Sequence, residues 1–379
     1  MKVGIITVQK APENFGACLQ CYALWKFVEN QGHECEVIDL VRPWSPEYIE
    51  SKYFSEKKRR KRAALPKRIL GRIINLLFSK KNVIPSENDH FRAFNNQIKY
   101  SQTYFSVDSL YDTPPIYDLY ISGSDQIWNP LMPFINEPYF LTFVPKGKKK
   151  ISYASSFALE EIPEGIWPPK VDWLGDFHAI SVREKSGVKI VKSVFNREAT
   201  LVVDPTMLLT RDEWESILVQ PDKNKNYLLL YTLQYNPIIV RKVRELAIKN
   251  DLSIRVVISS TTGDKPENDS VIEYITTAGP KEWLGLIHDA DIVITDSFHG
   301  SVFSLLFSKR FLTICTNKRV SERMTTLFDN LSLTNNYMDV EQFLKLENLD
   351  CANYLFDNVA TAIMKQREKS VAFLINALN

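Results

Sequence analysis

The segment Ile292-Val-Ile-Thr-Asp-Ser-Phe-His-Gly300 runs from an apolar stretch through a short polar turn into a second apolar stretch. The first stretch predicts a buried strand over 292–295, and the second predicts a helix over 300–307. Strand, turn and helix in this order form the repeating unit of α/β proteins with parallel sheets. Because ligands of such folds bind at the carboxyl ends of strands, the turn at 296–300 is a candidate site.

The turn carries groups that suit an anionic ligand. A helix N-terminus offers unpaired N–H groups and a partial positive charge. Ser297 can cap the helix, Gly300 permits a close backbone approach, and His299 has the chemistry to transfer a proton. A capped helix whose histidine only bonds a nearby carbonyl fits the same pattern, so both interpretations stay open here.

The alternation of predicted strands and helices continues on both sides of this segment and restarts near residue 225. It predicts two Rossmann-like α/β lobes: a first lobe over 1–205 with a basic helical insertion at about 42–115, and a second lobe over 206–350. A C-terminal helix over 351–379 follows, and Pro205 favours a hinge between the lobes. The predicted strands are 3–8, 36–40, 118–122, 150–154, 179–182, 200–203, 227–233, 254–259, 292–295 and 311–315; the predicted helices are 17–31, 237–249, 282–288, 300–307 and 352–378.

Two further strand ends in the first lobe carry candidate binding residues. In Ile180-Ser-Val-Arg-Glu184, Arg183 projects at the carboxyl edge, where a guanidinium can bind carboxylate or phosphate; a pairing with Glu184 is the plainer alternative. In Tyr120-Ile-Ser-Gly-Ser-Asp-Gln-Ile-Trp-Asn-Pro130, polar groups and an indole suit a sugar, and the alternative is a polar loop with a core tryptophan. The candidates in this second segment are Ser124, Asp125, Gln126 and Trp128.

The first helix opens with Asn14-Phe-Gly-Ala-Cys-Leu-Gln20, a turn that lacks the glycine spacing of nucleotide-binding loops. Cys18 and Cys21 form a C-x-x-C pattern, but no second pair or histidine cluster accompanies them. We therefore predict no metal site and interpret the two cysteines as packing residues. An odd number of cysteines (5) and an N-terminus that reads as a strand favour a cytoplasmic protein.

Charge is distributed unevenly along the chain. Residues 56–81 hold eleven Lys/Arg and one acidic residue, whereas the rest of the chain holds 36 basic and 44 acidic residues. The segment 57–81 combines this charge with an apolar helical face, a pattern that suits an anionic membrane surface. A helix packed on the first lobe is the alternative, and nucleic acid is not predicted because no base-reading or stacking motif accompanies the charge.

Taken together and in order, several segments resemble the polysaccharide pyruvyl transferase family. The matching pieces are Asn14-Phe-Gly-Ala-Cys-Leu-Gln-Cys-Tyr-Ala-Leu24, Tyr117-Asp-Leu-Tyr-Ile-Ser-Gly-Ser-Asp-Gln-Ile-Trp-Asn129, Lys150-Ile-Ser-Tyr-Ala-Ser-Ser156, Ser181-Val-Arg-Glu-Lys-Ser186, Val203-Asp-Pro-Thr-Met-Leu-Leu209, Thr295-Asp-Ser-Phe-His-Gly-Ser-Val-Phe303 and Ser321-Glu-Arg-Met324. The resemblance implies a fold like that of GT-B glycosyltransferases. It also implies formation of a pyruvate ketal on a sugar, with phosphoenolpyruvate as donor and no other cofactor.

The resemblance also assigns roles to residues. It implies that Arg183 binds the donor and that His299 transfers the proton, with Arg323 in a matching piece as a further donor residue. Asp296 is expected to orient His299 or to help deprotonate the acceptor. We add Ser297 and Gly300 to the donor site and expect the acceptor, soluble or lipid-linked, at the remaining candidates: Asn14, Ser124, Asp125, Gln126 and Trp128.

Two other functions compete with this interpretation. A GT-B glycosyltransferase would use a nucleotide sugar, and many of these enzymes carry two glutamates in the second lobe. No glutamate occurs between Glu282 and Glu322, which weakens that reading. A non-catalytic sugar-binding module is the second competitor, and the presence of both Arg183 and His299 argues against it. We expect a transferase of capsule or exopolysaccharide synthesis that is cytoplasmic or peripheral at the inner face of the membrane.

Overall fold

The computed structural model describes residues 1–11, 14–54, 89–167, 171–221, 226–259, 271–316, 321–354 and 356–379. The basic segment 57–81 lies outside these residues. Within the described part, no helix is both long and apolar enough to cross a lipid bilayer.

The first lobe is built on a parallel sheet in the order β3-β2-β1-β4-β5. Its central strand is buried because Val3, Ile5 and Ile6 have no exposed surface. The strands are β1 (Lys2–Ile6), β2 (Glu34–Leu40), β3 (Tyr100–Tyr104), β4 (Leu119–Ser122) and β5 (Lys149–Ser152), with β6 (Ser181–Val182) and β7 (Thr200–Leu201) forming a small parallel extension. The helices are α1 (Phe15–Asn30), α2 (Asp89–Asn95), α3 (Val107–Asp112) and α4 (Lys185–Phe195), and Glu137–Phe140 is a 3₁₀ turn.

The second lobe repeats the design with a parallel sheet in the order β10-β9-β8-β11-β12-β13. Its strands are β8 (Tyr227–Thr232), β9 (Ser253–Ile258), β10 (Ile272–Tyr274), β11 (Ile292–Thr295), β12 (Arg310–Cys315) and β13 (Tyr337–Asp339). Its helices are α5 (Arg211–Glu215), α6 (Pro237–Lys249), α7 (Pro280–Asp289), α8 (Phe298–Leu306), α9 (Ser321–Leu331) and α10 (Val340–Leu344), with 3₁₀ turns at Pro205–Met207, Thr334–Asn336 and Asp350–Ala352. The two parallel lobes confirm the predicted two-lobed α/β class, which is of the GT-B type.

A long final helix, α11 (Phe356–Leu378), returns to the linker between the lobes. The Ser370 hydroxyl accepts a hydrogen bond from the Val203 N–H (3.0 Å), and the Arg367 guanidinium donates to the Leu208 carbonyl (2.8 and 3.0 Å). Leu374 at the end of α11 is fully buried in a core that contains side chains of both lobes. The linker is therefore held against α11 on both sides of the 3₁₀ turn.

The structure corrects the predicted elements mainly at sheet edges. Strand β3 lies inside the range 42–115 that the sequence assigns to an insertion, so residues 100–104 belong to the sheet. The sequence of β3 is Tyr-Ser-Gln-Thr-Tyr, in which only Tyr104 is buried, and it therefore lacks the apolar run that marks a central strand. The edge strands β10 and β13 were not predicted because three residues give too short a pattern.

Candidate functional site

Arg183 follows the short strand β6 and lies at the boundary between the lobes. Its Nη1 donates to the Asp204 carboxylate at 2.5 Å, and its Nη2 lies 3.7 Å from Asp125 Oδ1. The side chain is only 2% exposed, yet Nε and Nη2 have no hydrogen-bond partner among the described residues. Burial would lower the pKa of Arg183, but the neighbouring carboxylates outweigh it and hold the pKa above its usual value. A buried cation with unused donors is an anion-binding group.

The alternative pairing of Arg183 with Glu184 is wrong. Glu184 is fully buried, and its carboxylate accepts the backbone N–H groups of Phe157 (2.7 Å) and Ala158 (3.0 Å). Glu184 therefore fixes the loop after β5. The guanidinium of Arg183 does not pair with Glu184 and lies at the boundary between the lobes.

Arg323 in α9 brings a second cation to the same place. The ring of Phe298 lies beneath both guanidinium groups, at 4.7 Å from Cζ of Arg183 and 5.6 Å from Cζ of Arg323. Arg323 Nη1 is 4.0 Å from Asp125 Oδ1, and its Nε has no hydrogen-bond partner within the described ranges. Burial, together with the charge of Arg183, lowers the pKa of Arg323 to about 10. A bound anion would relieve both effects.

Asp204 is the central residue that the sequence interpretation missed. It is buried at the end of the first lobe, where its carboxylate caps the 3₁₀ turn through the Thr206 N–H (3.0 Å) and accepts from Arg183 and the Ser124 hydroxyl (3.3 Å). Burial would raise the pKa of Asp204, but His299 and Arg183 hold it well below its usual range. Asp204 therefore remains a fixed negative charge. Its signal is the Asp-Pro-Thr sequence after a strand, which predicts a hinge and forms part of a family-like segment without assigning a role to Asp204.

His299 lies at the start of α8, between the two lobes. Its Nε2 is 3.7 Å from the Asp204 carboxylate and, within the described residues, has no hydrogen-bond partner. The other side of the ring faces the first turn of α1, where a Cβ added at Gly16 would lie 2.0 Å from Nδ1. The structure thus places His299 and Arg183 beside the carboxylate of Asp204. The requirement for glycine at position 16 was not predicted from the sequence.

Asp296 has a different environment from the predicted one. Its carboxylate accepts the Leu233 N–H (2.8 Å) and the hydroxyls of Thr232 (3.0 Å) and Thr316 (3.4 Å), which connects the ends of β8, β11 and β12. No hydrogen bond or ion pair joins Asp296 to His299 in the described part of the chain. The carboxylate beside His299 is Asp204, so the expected orienting role of Asp296 is wrong.

The helix-opening residues Ser297 and Gly300 form a local cap. The Ser297 hydroxyl accepts the Gly300 N–H (3.3 Å), as the capping prediction requires. A Cβ at Gly300 would lie 2.4 Å from Thr295 Oγ1 and 3.0 Å from Tyr231 Cδ1. The close approach predicted at Gly300 is therefore to the second lobe's own core and not to a ligand.

The predicted acceptor residues separate into three environments. Asn14 is exposed and caps α1 by accepting the Ala17 N–H (3.0 Å). Asp125, in a left-handed conformation (φ 69°), lies between Arg183 and Arg323 and therefore belongs to the cationic cluster. Ser124, which is fully buried, bonds Asp204, while Gln126 accepts from the Asn129 amide (3.2 Å).

Trp128 is a core residue, so its predicted stacking on a sugar is wrong. The indole has no exposed surface, stacks on Phe140 (4.9 Å between centroids, 8° between planes) and donates to the Tyr139 carbonyl (3.0 Å). An indole that is completely enclosed has no face left for a ligand. Cys18 and Cys21 are likewise buried in α1, and burial raises the pKa of the Cys21 thiol, as expected for packing residues.

A cavity of about 370 Å³ adjoins the arginine pair, between the linker, α9 and α11. Its wall includes both buried guanidinium groups as well as side chains of α11. The residues that line the cavity include Arg183, Asp204, Phe298, Arg323, Gln366 and Lys369.

The fold and this site define a two-lobed α/β protein with a cluster of arginines and aspartates between its lobes. The polysaccharide pyruvyl transferase family model matches residues 14–317, and the chain belongs to that family. Membership makes the chain a pyruvyl transferase of polysaccharide biosynthesis and implies a sugar or polysaccharide acceptor.

Solved structures similar to this chain include the UDP-GlcNAc 2-epimerase from Neisseria meningitidis bound to UDP-GlcNAc, at 11% identity over 100% of this chain and 99% of that chain. UGT89C1 of Arabidopsis thaliana is 12% identical over 97% of this chain and 94% of that chain. The TM-score is 0.48 in both cases. No curated protein sequence matches the chain.

Proposed function

We propose that this enzyme transfers the pyruvyl group of phosphoenolpyruvate to two hydroxyls of a sugar, which forms a ketal and releases phosphate. The observation that carries the proposal is the buried pair Arg183 and Arg323, whose guanidinium groups lie over Phe298 and keep unused donors, while His299 Nε2 lies 3.7 Å from the Asp204 carboxylate that binds Arg183. Family membership supports pyruvyl transfer. The geometry supports a donor that carries anionic groups beside a site of proton transfer.

Phosphoenolpyruvate carries a carboxylate and a phosphate, so its site needs fixed positive charge in a dry environment. Arg183 retains its charge because Asp204 and Asp125 compensate it, and it still has free donors. Arg323 has only a distant carboxylate, and the anion would supply its missing counter-charge. These two side chains therefore support donor binding by direct charge-assisted hydrogen bonds.

In the proposed chemistry, His299 Nε2 delivers a proton to the methylene carbon of the donor, and the adjacent carbon becomes electron-deficient. One sugar hydroxyl adds to that carbon and loses its proton. Phosphate then leaves with the C–O electron pair, and a second hydroxyl closes the ketal. Of the two hydroxyl protons, one replaces the proton that His299 gave and the other leaves with phosphate. Proton transfer of this kind contributes ~10²–10⁴-fold to rate.

Asp204 supports this step as a fixed charge. Because its pKa lies well below the usual range, it does not itself exchange protons at working pH. Its carboxylate, 3.7 Å from Nε2, stabilises the charged imidazolium that must be present before the proton is transferred. The same carboxylate holds Arg183, so the acid and the donor-binding cation share one counter-ion.

For the acceptor we propose a repeat-unit sugar, either soluble or carried on a polyprenyl diphosphate at the inner face of the membrane. The sequence of 57–81 supports the lipid-linked case because it combines basic charge with an apolar helical face. Sedimentation with anionic vesicles, comparing the full chain with one lacking 57–81, tests this attachment. Loss of vesicle binding with unchanged donor binding would support it, whereas equal sedimentation of both chains would contradict it.

The decisive experiment measures phosphate release and the mass of the product with phosphoenolpyruvate and a panel of soluble and lipid-linked sugars. We expect His299→Ala to lower turnover at least ~10²-fold while the fold persists, because the proton donor is lost. We expect Arg183→Ala to weaken donor binding in calorimetry, and His178→Ala, at an exposed histidine, serves as the control. Phosphate release at the normal rate by the His299 variant would exclude His299 as the acid, and binding of a UDP-sugar without binding of phosphoenolpyruvate would favour a glycosyltransferase.

A further inference from the structure

We infer that the C-terminal helix α11 is part of the donor site and that Lys369 binds the phosphate of phosphoenolpyruvate. This inference rests on the proposed function and adds to it, because it names a binding residue and fixes the direction of the donor in the cavity. Neither Lys369 nor α11 lies in the matched range 14–317.

The linker between the lobes holds α11 in a fixed position. Ser370 is buried against the end of the linker, where its hydroxyl accepts the Val203 N–H immediately before Asp204. Arg367 holds the other side of the same helical turn by its bonds to the Leu208 carbonyl. These two anchors fix the turn between residues 366 and 370, so Gln366 and Lys369 form a defined wall of the cavity.

The side chains that line the cavity carry an excess of positive charge. Its lining contains three cationic side chains, Arg183, Arg323 and Lys369, and a single carboxylate, Asp204. Within the described residues Lys369 has no carboxylate partner, and the two arginines keep unused N–H donors. Asp125 also lies beside the arginines, 3.7 Å from Arg183 and 4.0 Å from Arg323, so three cations are balanced by two carboxylates. The remaining excess of positive charge matches a small anionic ligand.

The exposure of the cationic side chains that line the cavity indicates the direction of the ligand. Arg183 and Arg323 are buried, and a guanidinium fits a planar carboxylate through two parallel hydrogen bonds. Lys369 is exposed, and its ammonium acts as a point charge on a stem that can follow a moving group. Phosphate is the group that leaves, so it belongs at the solvent side, with the carboxylate at Arg183 and Arg323.

The test compares Lys369→Gln with Lys369→Arg and with Lys365→Gln, a matched control on the same helix that does not line the cavity. We expect Lys369→Gln to raise the KM for phosphoenolpyruvate ~10-fold with a smaller change in kcat, because a charge-assisted hydrogen bond is lost. Lys369→Arg should restore most of the affinity, and Lys365→Gln should behave as the unaltered enzyme. Since Lys369 is exposed, the variants should keep the melting temperature.

Inhibition by inorganic phosphate and inhibition by pyruvate, measured separately, then test the direction in which phosphoenolpyruvate lies in the cavity. Lys369→Gln should weaken inhibition by phosphate and leave inhibition by pyruvate unchanged, while Arg183→Lys should do the reverse. An unchanged KM in Lys369→Gln, in an enzyme that binds phosphoenolpyruvate and needs Arg183, would overturn the role of α11 and leave the proposed function standing. Failure of the unaltered enzyme to bind phosphoenolpyruvate would overturn both.

Discussion

Asp204 and Asp296 are two aspartates associated with the same histidine, the first buried and the second partly exposed. Asp296 is three residues from His299 in sequence, yet its carboxylate is occupied by Leu233, Thr232 and Thr316. Asp204 is almost a hundred residues away in sequence and lies 3.7 Å from the imidazole. Proximity along the chain predicted that Asp296 would lie next to His299. This prediction was wrong because the turn after β11 directs the Asp296 carboxylate toward its own sheet.

The two side chains also differ in their chemical state. Asp204 is surrounded by cations, and their charges overcome the effect of burial, so its pKa falls. Asp296 is surrounded by neutral donors, and burial prevails, so its pKa rises. Of the two aspartates, one is a counter-ion of Arg183 and His299 and the other joins strand ends, and the direction of the pKa shift differs between them.

The largest expected effect is that of Asp204→Asn on turnover, and the matched substitution is Asp296→Asn. The first change leaves Arg183 without its close counter-ion and His299 without a stabilising charge, so we expect kcat to fall ~10²-fold or more. Asp296→Asn keeps the imidazole and the arginines in place, and a much smaller change in kcat should follow. Steady-state phosphate release measures both.

Stability needs its own control in this experiment, because removing one partner of a buried pair costs roughly 3–5 kcal/mol. Denaturant unfolding of Asp204→Asn should show this loss, and the double variant Arg183→Gln/Asp204→Asn should recover part of it without recovering turnover. If Asp296→Asn lost as much turnover as Asp204→Asn in a folded enzyme, the distinction between the two aspartates would be lost.

A smaller effect is expected on the opposite side of the histidine, at Gly16. A methyl group there would lie 2.0 Å from His299 Nδ1, so Gly16→Ala must displace the ring from its position beside Asp204. We expect kcat to fall ~10-fold or more, since small misplacements of a catalytic group are costly, with little change in the affinity for phosphoenolpyruvate. The unfolding free energy should drop by ~1–3 kcal/mol from overpacking.

The double variant Gly16→Ala/His299→Ala isolates the contact. Removal of the imidazole makes room for the methyl group, so the stability costs of the two changes should not add. Additive costs, or a Gly16→Ala enzyme with normal kcat, would show that α1 does not position His299.

The smallest effect is on the pH dependence of stability. The pKa of Asp296 is raised in the folded state above 3.8, so the folded protein binds the proton more tightly and the free energy of unfolding falls as pH rises through this range. Asp296→Asn should remove that fall. Asp204 has the opposite sign, because its contribution is present above 3.8 and lost only as pH falls toward its depressed folded pKa. Unfolding curves at a series of acidic pH values measure both slopes, and identical slopes for Asp296→Asn and the unaltered protein would contradict the assignment.

The sequence predicted what depends on local pattern. Strand β11 was predicted with its observed bounds because three consecutive apolar residues and Thr295 end at a polar turn, and Arg183 was placed correctly at a strand end. Trp128 was misassigned because its polar neighbours suggest a surface loop, whereas its enclosure comes from Phe140, Phe157 and other rings that are distant in sequence. Asp204 and Gly16 also act through partners on other elements, and a pattern along one element holds no information about them.

The anchoring of α11 gives the order of synthesis a role in how the donor site is assembled. Arg183, His299 and Arg323 are all made before Ser370, whose bond to Val203 fixes the last wall of the cavity. While a chain grows, its most recently made residues stay inside the ribosome. The acid and the arginines are therefore made before the last wall of the cavity, and under the proposed function the capacity to bind the donor should arise only when α11 docks on the linker.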